Sequence, residues 1–198
     1  MSALVNERPR IDRLNLLRRL PHIIREIDYR GRAVMYGSEV IDVLPFSNES
    51  NIFGVAIDIG TTTLAVYLAD LKSGEIVAVR SAPNPQSAYG QDVISRIDYT
   101  IKRDKGIDEL RTTVLTTLNK LIDDLCEERA VSKERIYDTS IVGNTTMIHI
   151  LLGINPERIS SSPFIPAFTG GKVFESRELD LEESDRKSTR LNSSHRIR

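Results

Sequence analysis

Apolar residues recur at intervals of three and four along the first part of the chain, at Ile11, Leu14, Leu17, Leu20, Ile23, Ile24 and Ile27. That spacing predicts a helix with one apolar face. Pro21 lies inside the run and predicts a kink or the start of a second short helix, because proline lacks an amide donor and crowds the preceding turn. "RAVMYGSEVIDVLPF" then reads as two short strands around Gly37-Ser38. The polar "SNESN", Ser47 to Asn51, has turn chemistry and marks a domain boundary. Residues 1–49 are thus expected to form a small α/β unit, marginal by itself. Its arginines, Arg13, Arg18, Arg19 and Arg25, read as a solvated face.

Beyond the boundary the period changes. Phe53 to Ile59 is a continuous apolar strand with Asp58 embedded, and Thr63 to Leu68 is a second strand rich in β-branched residues. "KSGE", Lys72 to Glu75, supplies a turn, and Glu75 to Ser81 a third strand. Short connections between consecutive strands predict an antiparallel meander. "APNPQ" breaks the pattern. Gly90 to Arg103 is expected to be helical, with Val93, Ile94, Ile97 and Ile101 on its inner side. Ile107 to Arg129 gives a stronger helix, striped by Leu110, Val114, Leu118, Leu121, Ile122 and Leu125, with Cys126 as a small buried neighbour. "IYDTSIVGN" is a strand ending at Gly143-Asn144; "TTMIHILLG" is a helix that Gly153 stops. Strands, helices, a strand and a helix make residues 50–184 an α/β layer fold with one mixed sheet.

Composition narrows the function classes. The 198 residues carry a formal charge of −1, with 40% hydrophobic and 28% charged side chains, so no broad field attracts nucleic acid or an anionic membrane. No run is apolar for long enough to span a bilayer, and the polar "MSALVNERPRIDRL" has no signal-peptide core. Cytoplasm is the expected compartment. The single cysteine, Cys126, excludes an internal disulfide and cannot ligate an iron–sulfur cluster. Asp185 to His195, "DRKSTRLNSSH", reads codon by codon as a translated sequencing adapter. On that reading residues 185–198 are a non-native tail to be left out of the fold reading; the alternative is a disordered basic tail.

The chemistry centres on "GVAIDIGTTTLAVYLAD", Gly54 to Asp70. Asp58 follows Val55, Ala56 and Ile57, which predicts a dry surrounding in which an ionised carboxylate needs a partner. No lysine or arginine lies nearby in sequence. Gly60 allows close backbone approach to a ligand, and Thr61, Thr62 and Thr63 add hydroxyl and N–H donors suited to phosphate oxygens. A hydrated Mg²⁺, which needs few protein carboxylates, would complete the site. The competing reading is an ordinary hairpin in which Asp58 caps its own turn.

"AIDIGTTTLAVYLAD" resembles the first phosphate loop of the ASKHA superfamily, the acetate and sugar kinases, heat-shock chaperone ATPases and actin. "NPQSAYGQDVISRI", Asn84 to Ile97, "VGNTTMIHILLGINP", Val142 to Pro156, and "SPFIPAF", Ser162 to Phe168, are similar to the ATPase domain of reductive activators of corrinoid enzymes. "LLRRLPHIIRE" and "GSEVIDVLP" are similar to that family's linker domain. The resemblance runs over residues 7–184 and implies a ribonuclease-H-like, actin-type lobe preceded by a small α/β linker domain. It implies an activator that uses ATP to drive an inactive Co(II) corrinoid on a partner protein to Co(I), and leaves a homodimer possible.

Carried over by motif, Asp58 would hold the Mg²⁺ shell through water and Gly60, Thr61 and Thr62 would contact phosphate, with Thr63 in a weaker position. Gly143, Asn144 and Thr145 would bring a second strand-to-helix junction toward the γ-phosphate, where a helix N-terminus favours negative charge. The family's cysteine-rich iron–sulfur domain and second ATPase lobe have no counterpart here. The chain therefore reads as a fragment whose half-built ATP site turns over poorly.

Where many relatives have Ala-Met-His-His, this chain has Thr146, Met147, Ile148 and His149. His149 reads as a packed or partly exposed helix residue without chemical duty. Asp92, Arg96 and Tyr99, at helical spacings, read as a surface ion pair and its neighbour, or else as a wall of the nucleotide cleft. A small-molecule kinase of the same superfamily and a nucleotide-independent docking module are the other functions weighed.

Overall fold

A computed structural model of the chain describes residues 8–46, 51–181 and 188–194. The chain divides into two compact units, Met1–Asn51 and Ile52–Arg198.

In the first unit a helix, α1 (Leu14–Glu26), precedes two antiparallel strands, β1 (Gly31–Tyr36) and β2 (Glu39–Pro45). Pro21 does not divide α1; it removes only the bond that its own amide would have given to the preceding turn. Gly37, at φ +59°, makes the turn between the strands, a backbone region that costs glycine nothing. Leu16, Val34, Val40, Ile41 and Leu44 are the unit's buried apolar residues. Arg13, at the mouth of α1, pairs with Glu39 of β2 at 3.0 Å.

The second unit is built on a six-stranded sheet. Its elements run β3 (Phe53–Ile59), β4 (Thr63–Asp70), β5 (Ile76–Pro83), α2 (Val93–Lys102), α3 (Gly106–Glu128), β6 (Ile136–Asn144), α4 (Thr145–Leu151), α5 (Glu157–Ser160), β7 (Lys172–Glu175) and β8 (Ser188–Ser194). The spatial order is β5-β4-β3-β6-β8-β7. β3, β4 and β5 form the expected antiparallel meander, and β6 lies parallel to β3. The sheet is therefore mixed, as the alternation of strands and helices predicted.

Alternation along the strands divides the sheet into two faces. Val55, Ile57 and Ile59 of β3 and Leu64, Val66 and Leu68 of β4 are buried, and join Leu110, Val114, Leu118, Leu121, Ile122 and Leu125 of α3 in one core. Cys126 belongs to the same core. On the other face Ala56, Asp58, Ser140 and Val142 are exposed.

Two expectations are corrected. The inner face of α2 is made by Arg96, Ile97 and Thr100, whereas Ile94 and Ile101 are 64% and 50% exposed. The apolar count placed the helix face one position out, because it had no reason to turn an arginine inward. The tail does not stand wholly outside the fold: Ser188–Ser194 pairs in parallel with β6 and antiparallel with β7, and Leu191 is buried. Strand pairing uses backbone groups that every residue possesses, so the polar run "STRLNSS" gave no periodic signal of it.

Leu118 sits at the middle of α3 with no exposed surface. Leu118→Ala is expected to cost about 3 kcal/mol through lost burial and a residual cavity, read as a lowered Tm in thermal unfolding with the helical circular dichroism of the folded state unchanged.

Candidate functional site

The ends of β3 and β6 meet because the two strands are parallel and in register, with Asp58 opposite Val142 and Ile59 opposite Gly143. The loop that follows β3 and the junction that follows β6 therefore lie at the same edge of the sheet. Gly143 eases this approach: a Cβ there would stand a tight 3.1 Å from the Ile59 carbonyl oxygen. Gly60 is needed one residue further on. Its N–H donates to the Thr63 carbonyl at 3.0 Å, and a Cβ on it would reach 2.6 Å from that oxygen.

Between Gly60 and Thr63 the carbonyls are held from one side. Asn84, fully buried after β5, donates its side-chain Nδ2 to the Gly60 carbonyl at 2.8 Å and its backbone N–H to the Thr62 carbonyl at 2.7 Å. Arg96 of α2 donates to the Thr61 carbonyl at 2.6 Å. In a trans peptide the N–H points opposite to the C=O. The amides of Thr61, Thr62 and Thr63 are thereby turned away from Asn84 and Arg96. Among the described residues no acceptor takes the N–H of Thr61 or Thr62. A row of outward backbone N–H groups is a concavity for an anion.

Asp58 precedes this loop, and its predicted dry surrounding is not found. The residue is exposed, and among the described residues no hydrogen bond or ion pair engages its carboxylate. The strand is apolar on both sides of Asp58 in sequence, but alternation sends Asp58 to the open face. A cost of burial therefore supplies no argument for a cation. Asp58 does not cap its own turn either; Gly60 and Thr63 close that turn through backbone alone. Thr62 and Thr63 are exposed, Thr63 as the first residue of β4.

The second junction is tied to the first. Asn144 caps α4 by accepting the Met147 N–H on Oδ1 at 2.9 Å, and it donates Nδ2 to the Thr61 hydroxyl oxygen at 3.2 Å. Thr145 is buried. Asn144 acts as a strut between the two segments.

Arg96 and Asp92 are not a surface ion pair. Asp92 caps α2, accepting the Ser95 N–H at 2.7 Å while its own N–H donates to the Ser95 hydroxyl at 3.1 Å. The Ser95 N–H first, and then the Ser95 hydroxyl, hold its carboxyl below the usual carboxylate range. Arg96 is wholly buried. Burial lowers its pKa, partly opposed by the charge of Asp92. Tyr99 packs edge-on against Tyr89 and donates its hydroxyl to Glu109 of α3; it fastens one helix to another and does not reach the loop. Asn84, Gln86 and Arg96 lie within one motif, Asn84 to Ile97, yet no periodicity or spacing marks them as supports of the loop. The signal available was the polar "NPQ" in a place where the strand pattern stops.

His149 is buried and fully bonded. Its Nδ1 lies 2.7 Å from the Thr145 carbonyl, Nε2 accepts the Ala167 N–H at 3.0 Å, and the ring stacks on Phe168 at 4.9 Å. It borders a hollow of about 350 Å³ lined by Asn155, Arg158, Ile159, Pro163 and Ile165. His149 thus pins the "SPFIPAF" segment to α4, a structural duty that its apolar neighbours concealed. Among the described residues no three His, Cys, Asp or Glu side chains gather to hold a metal directly, and no helix is long and apolar enough to cross a membrane.

The second unit is an α/β lobe, a mixed sheet with its first hairpin loop and its β6–α4 junction side by side. Residues 53–192 match the family described as the RACo middle region, and the chain belongs to that family. It is 37% identical over 138 residues to the "Corrinoid activation enzyme RamQ" of Eubacterium limosum, covering 69% of this chain and 23% of that protein. A solved structure, "Reductive activator for corrinoid,iron-sulfur protein", superposes with a TM-score of 0.82 at 34% identity, covering 94% of this chain and 30% of that one. The chain thus spans under a third of the length of either relative.

Burial holds the His149 pKa below its ordinary value, against the bond to Thr145. The folded state favours the neutral ring, so this residue stabilises above about pH 6.5, and the benefit is withdrawn as pH falls toward the lowered folded value. His149→Phe keeps an aromatic ring for Phe168 and loses the bond from Ala167. It is expected to cost about 1 kcal/mol at pH 7.5 and to flatten the loss of Tm between pH 7 and 5, measured by thermal unfolding at a series of pH values.

Proposed function

We propose that this chain carries the first phosphate-binding half of an ATP-driven activator that promotes reduction of a corrinoid cofactor on a partner protein. The inward tethering of the Gly60, Thr61 and Thr62 carbonyls is the observation that carries the reading. It leaves backbone N–H groups directed outward at the strand end where the anion is needed. Asn144 sets the Gly143–Thr145 junction against the same loop.

The donor set fits a nucleotide polyphosphate accompanied by Mg²⁺. One free, water-accessible carboxylate beside a row of N–H donors suits an ion that keeps most of its waters and takes its other ligands from phosphate. Asp58 would hold such an ion through water, and Gly60, Thr61, Thr62 and Thr63 would meet the phosphates with N–H and hydroxyl groups. When bound, Mg²⁺ neutralises phosphate charge. Gly143, Asn144 and Thr145 would close the site from the β6 side.

Kinship with two corrinoid activators supports a corrinoid protein, or a corrinoid-dependent methyltransferase, as the partner and Co(II)-to-Co(I) reduction as the step to which ATP is coupled. An iron–sulfur cluster, if the full protein has one, belongs outside this chain, whose single cysteine is buried in the core. A cytoplasmic setting and a possible homodimer belong to the same proposal. Residues 1–49 as linker, 50–184 as the first lobe and 185–198 as a tail of foreign origin remain the proposed division, with Ser188–Ser194 paired into the sheet.

Asp58→Asn removes one exposed charge with no partner to lose. It is expected to raise the Mg-ATP dissociation constant about tenfold, equivalent to roughly 1.4 kcal/mol, with Tm unchanged. Isothermal titration of the chain and of a longer activator bearing the same loop, each with and without Mg²⁺, measures it. Equal Mg²⁺-dependent affinity in the variant overturns the assignment of Asp58.

A further inference from the structure

Arg96 brings a full positive charge into the interior and surrounds it with neutral acceptors. Its guanidinium donates to the carbonyls of Thr61 at 2.6 Å and Gly90 at 2.9 Å, to Oε1 of Gln86 at 3.2 Å and to the sulfur of Met147 at 3.2 Å. Asp92, the acid whose charge it feels, is spent on the cap of its own helix. A buried cation without a bonded carboxylate is costly, and a neutral donor could have satisfied one carbonyl. The charge therefore calls for a reason.

The bonds close a circuit. Arg96 holds the Thr61 carbonyl; the Thr61 hydroxyl oxygen accepts from Asn144; Asn144 accepts the Met147 N–H; and the Met147 sulfur accepts from Arg96. Four residues on α2, the β3–β4 loop, the end of β6 and the first turn of α4 are thereby fixed relative to one another. The planar guanidinium suits this role because its donors diverge at set angles.

We propose that Arg96 is a positioning residue for oxyanion binding, which sets the two phosphate-facing segments in register and places a buried positive charge behind the outward N–H groups of Thr61 and Thr62. The inference rests on the phosphate-loop reading for its ligand, though not for the circuit itself. In a low dielectric the charge acts on an anion at the loop with little screening, and the donors meet the ligand already aligned.

The test uses the 198-residue chain, with Mg²⁺-tripolyphosphate as the probe and the amide resonances of Thr61, Thr62, Asn144 and Met147 as the readout. R96M removes the charge and the fork, R96K keeps the charge and loses the fork, and Met147→Leu conserves volume while removing the sulfur acceptor. The expected result is a shift of the Thr61 and Thr62 amides in all three chains before any ligand is added. Affinity is expected to fall about tenfold in R96M and less in R96K, since charge-assisted contacts are the strong ones. A lowered Tm with those amides and the affinity at wild-type values would make Arg96 merely structural and overturn the proposal. If R96M does not fold, R96K and Met147→Leu decide by the same criteria. If the wild-type amides ignore tripolyphosphate, the phosphate-loop reading falls, while the circuit is still judged by the ligand-free amides of Met147→Leu.

Discussion

Parallel pairing of β3 with β6, with Ile59 opposite Gly143, is the constraint on which the site depends. Parallel strands point their C-terminal ends the same way, so the segments leaving them emerge together. The core of α3 fixes that register, because a slip by one residue would send Val55, Ile57 and Ile59 to the open face and Asp58 into the core. Packing energy of the interior is thus converted into the position of a few polar backbone groups at its edge. The absence of a Cβ at Gly143 lets the two segments come close, and its absence at Gly60 lets the loop after β3 close on Thr63.

A loop placed this way still has peptide groups that could face either direction. Their orientation is settled from behind by Asn84 and Arg96, both without exposed surface. Desolvating an amide and a guanidinium is unfavourable, and the loop carbonyls are what compensates them. The same bonds serve two ends: they satisfy buried donors, and they leave the loop amides on the solvent side. Stability and loop geometry are here one set of contacts, which is why Arg96 joins Ile97 and Thr100 on the inner side of α2.

Legibility of the sequence followed the physics of each feature. The stripe of α3 and the meander β3–β5 were readable because burial imposes a period on side chains. The two glycine-bearing junctions were readable because Gly60 and Gly143 stand at strand ends next to hydroxyl and amide side chains. Arg96 was not, since an arginine at helical spacing from Asp92 has the same appearance whether it faces water or the core; only the third dimension supplies its carbonyl partners. His149 was read as packed or partly exposed and proves to be packed, but its grip on Ala167 joins residues 18 apart in sequence and leaves no local trace. β8 was hidden for a different reason, a ladder made by backbone alone.

Asp58 illustrates how the argument that singles out a residue can fail while its candidacy passes to different grounds. Apolar neighbours on both sides suggested a charge trapped in an oily wall, yet in a strand the adjacent residues face the opposite side of the sheet. What distinguishes Asp58 is access to water, two positions before a loop whose donors point outward. A carboxylate that acts on a metal through the metal's own waters requires that access, and a dry pocket would have demanded direct ligation by several carboxylates instead. Among the described residues no such cluster exists, so an exposed Asp58 is compatible with a hydrated ion and a buried one would have been harder to reconcile with it.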